Sequence, residues 1–143
     1  MATDIHRIIE ISFDGGCKPT NPGEKYGSFQ IKHGLVEIFK ATRISFGWGT
    51  NNEAEYDALI RALLWVEEEM GKAGLPLNLF TLKVLTDSTI VRNRIATRNM
   101  RGKSEPAARM ANLARQCLSI MDCFGGWTIE WERRTENVKR FGH

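Results

Sequence analysis

Between Asn52 and Met70 the apolar residues return with the 3.6-residue period of an α-helix, and a glutamate stands at the centre of the apolar face. Ala54, Ala58, Leu59, Ala62, Leu63 and Val66 form the stripe. On the helical wheel Glu55 lies within about 60° of Ala58, Leu59, Ala62 and Val66. It sits in the first turn, after the helix-entry signal Thr50-Asn51-Asn52, and is aimed inward. Burying an unpaired carboxylate costs several kcal/mol. A metal ion, an Arg or a Lys would remove that cost. The other solution is escape to water at the end of the core face, where an acid also favours the helix dipole. Glu53, about 160° away on the wheel, is expected in solvent.

The segments around this helix set the fold. Ile8–Phe13 is short, apolar and β-branched and reads as a strand, broken by Asp14-Gly15-Gly16 and the loop Lys18-Pro19-Thr20-Asn21-Pro22-Gly23. Tyr26–Lys32 and Glu37–Ile44 read as strands joined by a His33-Gly34 turn. After the long helix, Gly71, Gly74 and Pro76 make the break. Phe80–Thr86 reads as a strand, Thr89–Ile95 and Glu105–Met121 as helices, and Thr128–Arg133 as a last strand. From Thr135 to His143 a terminal helical turn is the most that is expected, since a helix there has almost no length to grow. The order βββαβααβ predicts an α/β architecture, a mixed five-stranded sheet flanked by helices. At 143 residues the chain is expected to be a single domain, 1–143.

Composition narrows the function classes. Hydrophobic residues are 42% and charged residues 26%, which argues against disorder. No apolar run approaches the ~18–20 residues of a membrane helix, and since Met1–His6 has no basic n-region leading into an apolar stretch, no signal peptide is expected. Cys17, Cys117 and Cys123 are an odd number without a C-x-x-C pair, so free thiols in a cytoplasmic setting are expected. The net charge is +3. Ser88–Arg115 nevertheless holds seven basic residues, Arg92, Arg94, Arg98, Arg101, Lys103, Arg109 and Arg115, against one acid, Glu105. Such a patch suits an anionic partner such as nucleic acid, or is a solvated Arg-rich face.

Two more acids fall where Glu55 would meet them. Asp14 ends the first strand, before glycines that let the chain turn and a ligand approach; an Asx-type turn is its alternative role. Asp87 ends the fourth strand in Thr86-Asp87-Ser88, at the carboxyl edge where open α/β sheets place their sites, with helix N-capping as the alternative. Three carboxylates without His or Cys partners suit Mg²⁺ or Mn²⁺ rather than zinc. Two such ions about 3.5–4 Å apart serve phosphodiester cleavage.

Phe13-Asp14-Gly15-Gly16 with Asn21-Pro22-Gly23, then Thr50-Asn51-Asn52-Glu53-Ala54-Glu55-Tyr56, then Thr86-Asp87-Ser88 resemble the type 1 ribonuclease H family over about residues 6 to 137. The Asn-Asn-x-x-Glu-Tyr element is the most specific piece. The resemblance implies a metal-dependent endonuclease that cuts the RNA strand of RNA–DNA hybrids with two Mg²⁺ or Mn²⁺ ions, acting as a monomer without an obligatory protein partner or membrane. It implies that Asp14, Glu55 and Asp87 are metal ligands. It also implies substrate contacts at Gly15, Gly16, Thr50, Asn51, Asn52 and Ser88, and phosphate contacts at Arg94, Arg98 and Arg101. The loop from Asp14 to Asn21 is one residue longer than the family pattern, with Pro19-Thr20 where glycine is common. The family also shows an Arg, an Asn three residues on and an Asp four residues later. Arg134 and Asn137 fit this pattern, but Phe141 stands at the acid's position. Asn137 through its neutral oxygen, His143 as ligand or proton shuttle, and Glu136 are the candidate replacements. The competing functions are a hybrid- or duplex-binding module without activity and a related nuclease or strand-transfer domain acting on DNA.

Overall fold

Strand β1 (Ile8–Lys18) is the axis of the molecule. In the computed structural model, which describes residues 4–143, it pairs antiparallel with β2 (Gly23–His33) and parallel with β4 (Thr81–Thr86). β3 (Val36–Gly49) continues antiparallel beside β2, and β5 (Gly126–Trp131) parallel beside β4. The sheet order is β3-β2-β1-β4-β5. Helices α1 (Asn51–Lys72), α2 (Thr89–Thr97), α3 (Glu105–Met121) and α4 (Arg134–Phe141) surround it. The α/β architecture and the order βββαβααβ are those expected from the sequence, with α4 added at the end.

α1 starts at a capping box. The Thr50 hydroxyl accepts the Glu53 backbone N–H, and the Glu53 carboxylate accepts the Thr50 N–H in return. The whole apolar stripe of α1 is buried. It faces Ile9, Ile11 and Phe13, which alternate along β1 and are themselves buried. Small residues make this contact close. A Cβ on Gly15 would collide with the Ala54 backbone, and one on Gly27 would stand 3.0 Å from the Ala58 Cβ and strike the Phe46 ring. α3 closes over α1 with Ala114, Cys117 and Met121 buried. Truncating a fully buried member such as Leu63 to Ala would cost about 2–5 kcal/mol. By the same alternation Ser12, Asp14 and Ser28 point to the opposite face of the sheet. α4 packs against β1 and buries Asn137 and Phe141.

The structure departs from the sequence expectation at three places that matter for the site. β1 does not end at Phe13: the Asp14-Gly15-Gly16 segment stays extended because β2 bonds it as far as Lys18↔Glu24. The parallel ladder to β4, however, ends at Ser12↔Leu85. Beyond that pair β1 is bonded to β2 alone, and Asp14 stands at the fork. Glu53 is not in solvent but held in the capping box, with Arg109 3.9 Å away. α4 forms eight residues where at most a terminal turn was expected, because Asn137 and Phe141 find burial there. Among the described residues no helix is long and apolar enough to cross a membrane.

Candidate active site

Asp14, Glu55 and Asp87 each offer a carboxylate oxygen within 4.8 Å of the others. They arrive from the fork in β1, the first turn of α1 and the residue after β4. Ser88, not Asp87, caps α2 by accepting the Val91 N–H, so the Asp87 carboxylate is left for the site. Asp14 uses one oxygen to accept the Gly15 N–H at 3.0 Å. Glu55 is only 8% exposed. Burial, then the Asp14 and Asp87 charges, push its carboxyl well above the usual value. Burial and Asp14 raise Asp87 as well, while the Asn137 amide and the Arg134 charge pull it back. Glu55 Oε2 and Asp87 Oδ2 are buried and meet no hydrogen-bond donor. Clustered acids with orphaned oxygens are unstable alone and are satisfied by a hard divalent cation. The residues present fit such an ion.

Asn137 is fully buried beside this cluster. Arg140 can only donate, and it lies 2.8 Å from the Asn137 side-chain oxygen while pairing with Glu132 at 2.6 Å. The Asn137 nitrogen therefore faces the site and donates to the Phe13 carbonyl at 3.4 Å. The coordinating oxygen expected from the sequence is engaged elsewhere. His143 Nδ1 lies 3.2 Å from Asp14 Oδ2, and its Nε2 lies 2.6 Å from Ser28 Oγ. Glu136 is exposed and lies 3.8 Å from Lys139. Phe141 is buried, so position 141 brings no acid to the cluster. Sequence reasoning missed Trp131, whose indole N–H donates to the Asp87 carbonyl at 3.2 Å. It also missed Ser28 and Arg43, whose roles depend on the register of β2 against its neighbours, and Glu132 and Arg140, whose pairing depends on how α4 turns back on the end of β5.

No family model matches the chain, and no curated protein sequence matches it. Solved structures do. The RNase H1 of the archaeon Halobacterium salinarum NRC-1 superposes with a TM-score of 0.69 at 24% identity, covering 91% of this chain and 89% of that one. The N-terminal RNase H domain of a Mycobacterium tuberculosis protein gives 0.70 at 25%, covering 92% and 91%. LC11-RNase H1, solved in complex with an RNA/DNA hybrid, gives 0.71 at 23%, covering 92% and 89%. The chain has the ribonuclease H fold of the type 1 proteins.

Within this ribonuclease H fold, the residues expected to contact substrate divide into engaged and free groups. Gly15 is packed on Ala54, and a Cβ on Gly16 would meet the Tyr26 hydroxyl. Thr50 is committed to its cap. Asn51 accepts the Cys17 backbone N–H at 2.9 Å with its side-chain oxygen, and its own N–H donates to Asn21 at 3.1 Å, so it pins the loop after β1. The Asn52 side chain makes no hydrogen bond among the described residues. Arg94 donates to the Asn99 and Arg101 carbonyls and thereby shapes the basic loop. Arg98 forms a two-pronged pair with Asp122 and lies over the Trp127 ring. Arg101 keeps its guanidinium exposed and unpaired among the described residues.

Proposed function

We propose that the protein is a metal-dependent endonuclease that hydrolyses the RNA strand of RNA–DNA hybrids. The observation that carries this reading is the trio of converging carboxylates, two of whose buried oxygens have no partner. The ribonuclease H fold and the hybrid bound by LC11-RNase H1 support the choice of substrate. Asp14, Glu55 and Asp87 would hold the divalent ions, Mg²⁺ or Mn²⁺. Those ions, when bound, supply activation of a water and neutralisation of charge on the scissile phosphate.

The chain's own residues prepare that chemistry. The β1–β4 fork holds Asp14 and Asp87 at a fixed separation, and α1 delivers Glu55 from a capped, rigid first turn. Asn137, locked by Arg140 and Glu132, steadies the backbone before Asp14 and opposes the upward shift of Asp87. Asn52 offers a free amide to 2′-hydroxyls or phosphates on the substrate side of α1, and Arg101 offers a phosphate contact.

The decisive assay offers labelled RNA–DNA hybrid, duplex RNA and duplex DNA with Mg²⁺ or Mn²⁺. The RNA strand of the hybrid is expected to be cut, with loss of cutting in chelator and in Asp14→Asn or Asp87→Asn while the fold is retained, as a cooperative thermal transition would show. Tight hybrid binding without cleavage would instead identify a binding module, and cutting of duplex DNA would reject hybrid specificity.

A further inference from the structure

Two residues past α4, His143 is inserted between the candidate site and β2, with its side chain 8% exposed. The Tyr26 ring meets it edge-on at 5.0 Å, and the Phe141 ring stacks at 6.1 Å. The Arg43 guanidinium donates to the Gly142 carbonyl at 3.3 Å and holds the segment in place. Asp14 and Ser28 are directly opposite each other in the β1–β2 ladder and share one face of the sheet. The imidazole bridges them.

The proton inventory at Ser28 determines what His143 does to Asp14. β3 slips register against β2 around Ser28, and Arg43 adopts a φ of 53° there. This turns the Arg43 backbone N–H onto Ser28 Oγ at 3.0 Å. With one lone pair of the hydroxyl taken, its proton is free to point at His143 Nε2, which then accepts, and Nδ1 must carry the ring hydrogen. If the ring is instead doubly protonated, Nδ1 carries a hydrogen as well. The remaining arrangement, with Nδ1 bare, would set its lone pair against a carboxylate oxygen 3.2 Å away. In both permitted arrangements Nδ1–H donates to Asp14 Oδ2.

We infer that His143 is a positioning residue for Asp14. Together with the Gly15 N–H on the other oxygen, it fixes the plane of that carboxylate toward the divalent-ion site. A nitrogen that carries a hydrogen has no lone pair for a metal, so Nδ1 acts on the carboxylate and not on the ion. The Arg43 bulge and Ser28 set its hydrogen. This inference rests on the proposed metal-dependent function and adds to it a residue outside the acidic cluster.

Calorimetric titration of Mn²⁺ into the full chain, without substrate, tests it alongside thermal unfolding. His143→Ala should bind Mn²⁺ about 10-fold more weakly, the lower end for loss of a partner that orients a metal ligand. His143→Asn keeps a donor at the Nδ1 position and should recover most of the affinity. His143→Gln keeps only the Nε2 position and should not. Unchanged or tighter binding in His143→Ala, or rescue by Gln in place of Asn, overturns the inference while leaving the proposed function standing. Absence of Mn²⁺ binding by the wild-type chain overturns both.

Discussion

At the scale of single residues, Glu55 is a buried carboxylate beside two other acids, with one oxygen unpartnered. Its folded-state carboxyl titrates well above the ordinary 4.5, chiefly through burial and then through Asp14 and Asp87. The folded chain therefore binds this proton more tightly than the unfolded chain. Its contribution is fully favourable below the unfolded value and is lost as pH rises through the elevated folded value. In chelator, urea midpoints should fall from pH 5 to pH 8 in the wild type, and Glu55→Gln should flatten that fall. At pH 8 the substitution should stabilise the metal-free protein by on the order of 1–3 kcal/mol, the cost of a buried group left unsatisfied. Added Mg²⁺ should raise the wild-type midpoint and leave Glu55→Gln nearly unmoved. A midpoint in Glu55→Gln equal to the wild type's at pH 8 in chelator would show that the carboxylate is solvated.

At the scale of elements, the position of α1 against β1 decides where that glutamate arrives. The approach is set by Gly15 against Ala54, with no room for a methyl group. Gly15→Ala should push the first turn of α1 outward at a cost of about 1–3 kcal/mol, or roughly 3–10 °C in melting temperature. Mn²⁺ affinity should drop with it, since Glu55 rides on the displaced turn. A variant with an unchanged melting temperature would mean that the helix absorbs the methyl without moving. α1 itself was legible in the sequence because its evidence is local: a periodic stripe, a cap and a glutamate out of place. The extension of β1 was not. Asp14-Gly15-Gly16 has the composition of a turn, and only the ladder from β2 keeps it extended. α4 was hidden for a related reason. Half of its residues are charged, and it gains stability from two side chains, Asn137 and Phe141, whose burial depends on a strand more than 100 residues earlier. The three carboxylates could be picked out from chemistry and strand ends. His143 could be named as a candidate from its place near the chain's last helix, but its bond to Asp14 could not be read, because that needs the β1–β2 register and the Arg43 bulge together.

At the scale of the whole molecule, the basic segment expected from the charge pattern is unevenly available. Arg94 and Arg98 are spent on holding the loop and Asp122, whereas Arg101 is free among the described residues. Hybrid binding measured across a salt series should separate them. Arg101→Ala should lower the slope of log affinity against log salt by about 0.9, one phosphate contact, with little change in stability. Arg98→Ala should leave the slope in place and lower stability only slightly, as loss of an exposed pair does. The reverse result would move the substrate path from Arg101 toward Trp127. The seam between α1 and the sheet has a consequence on a longer timescale. Gly15 has no volume to grow into against the Ala54 and Glu55 backbone, and Gly27 has little against the Phe46 ring and the Ala58 methyl. During divergence Gly15 cannot enlarge unless the helix lifts away and takes Glu55 out of reach of Asp14 and Asp87. Descendants of this chain that keep the acidic cluster should therefore keep a glycine at position 15, however far the rest of their sequences drift.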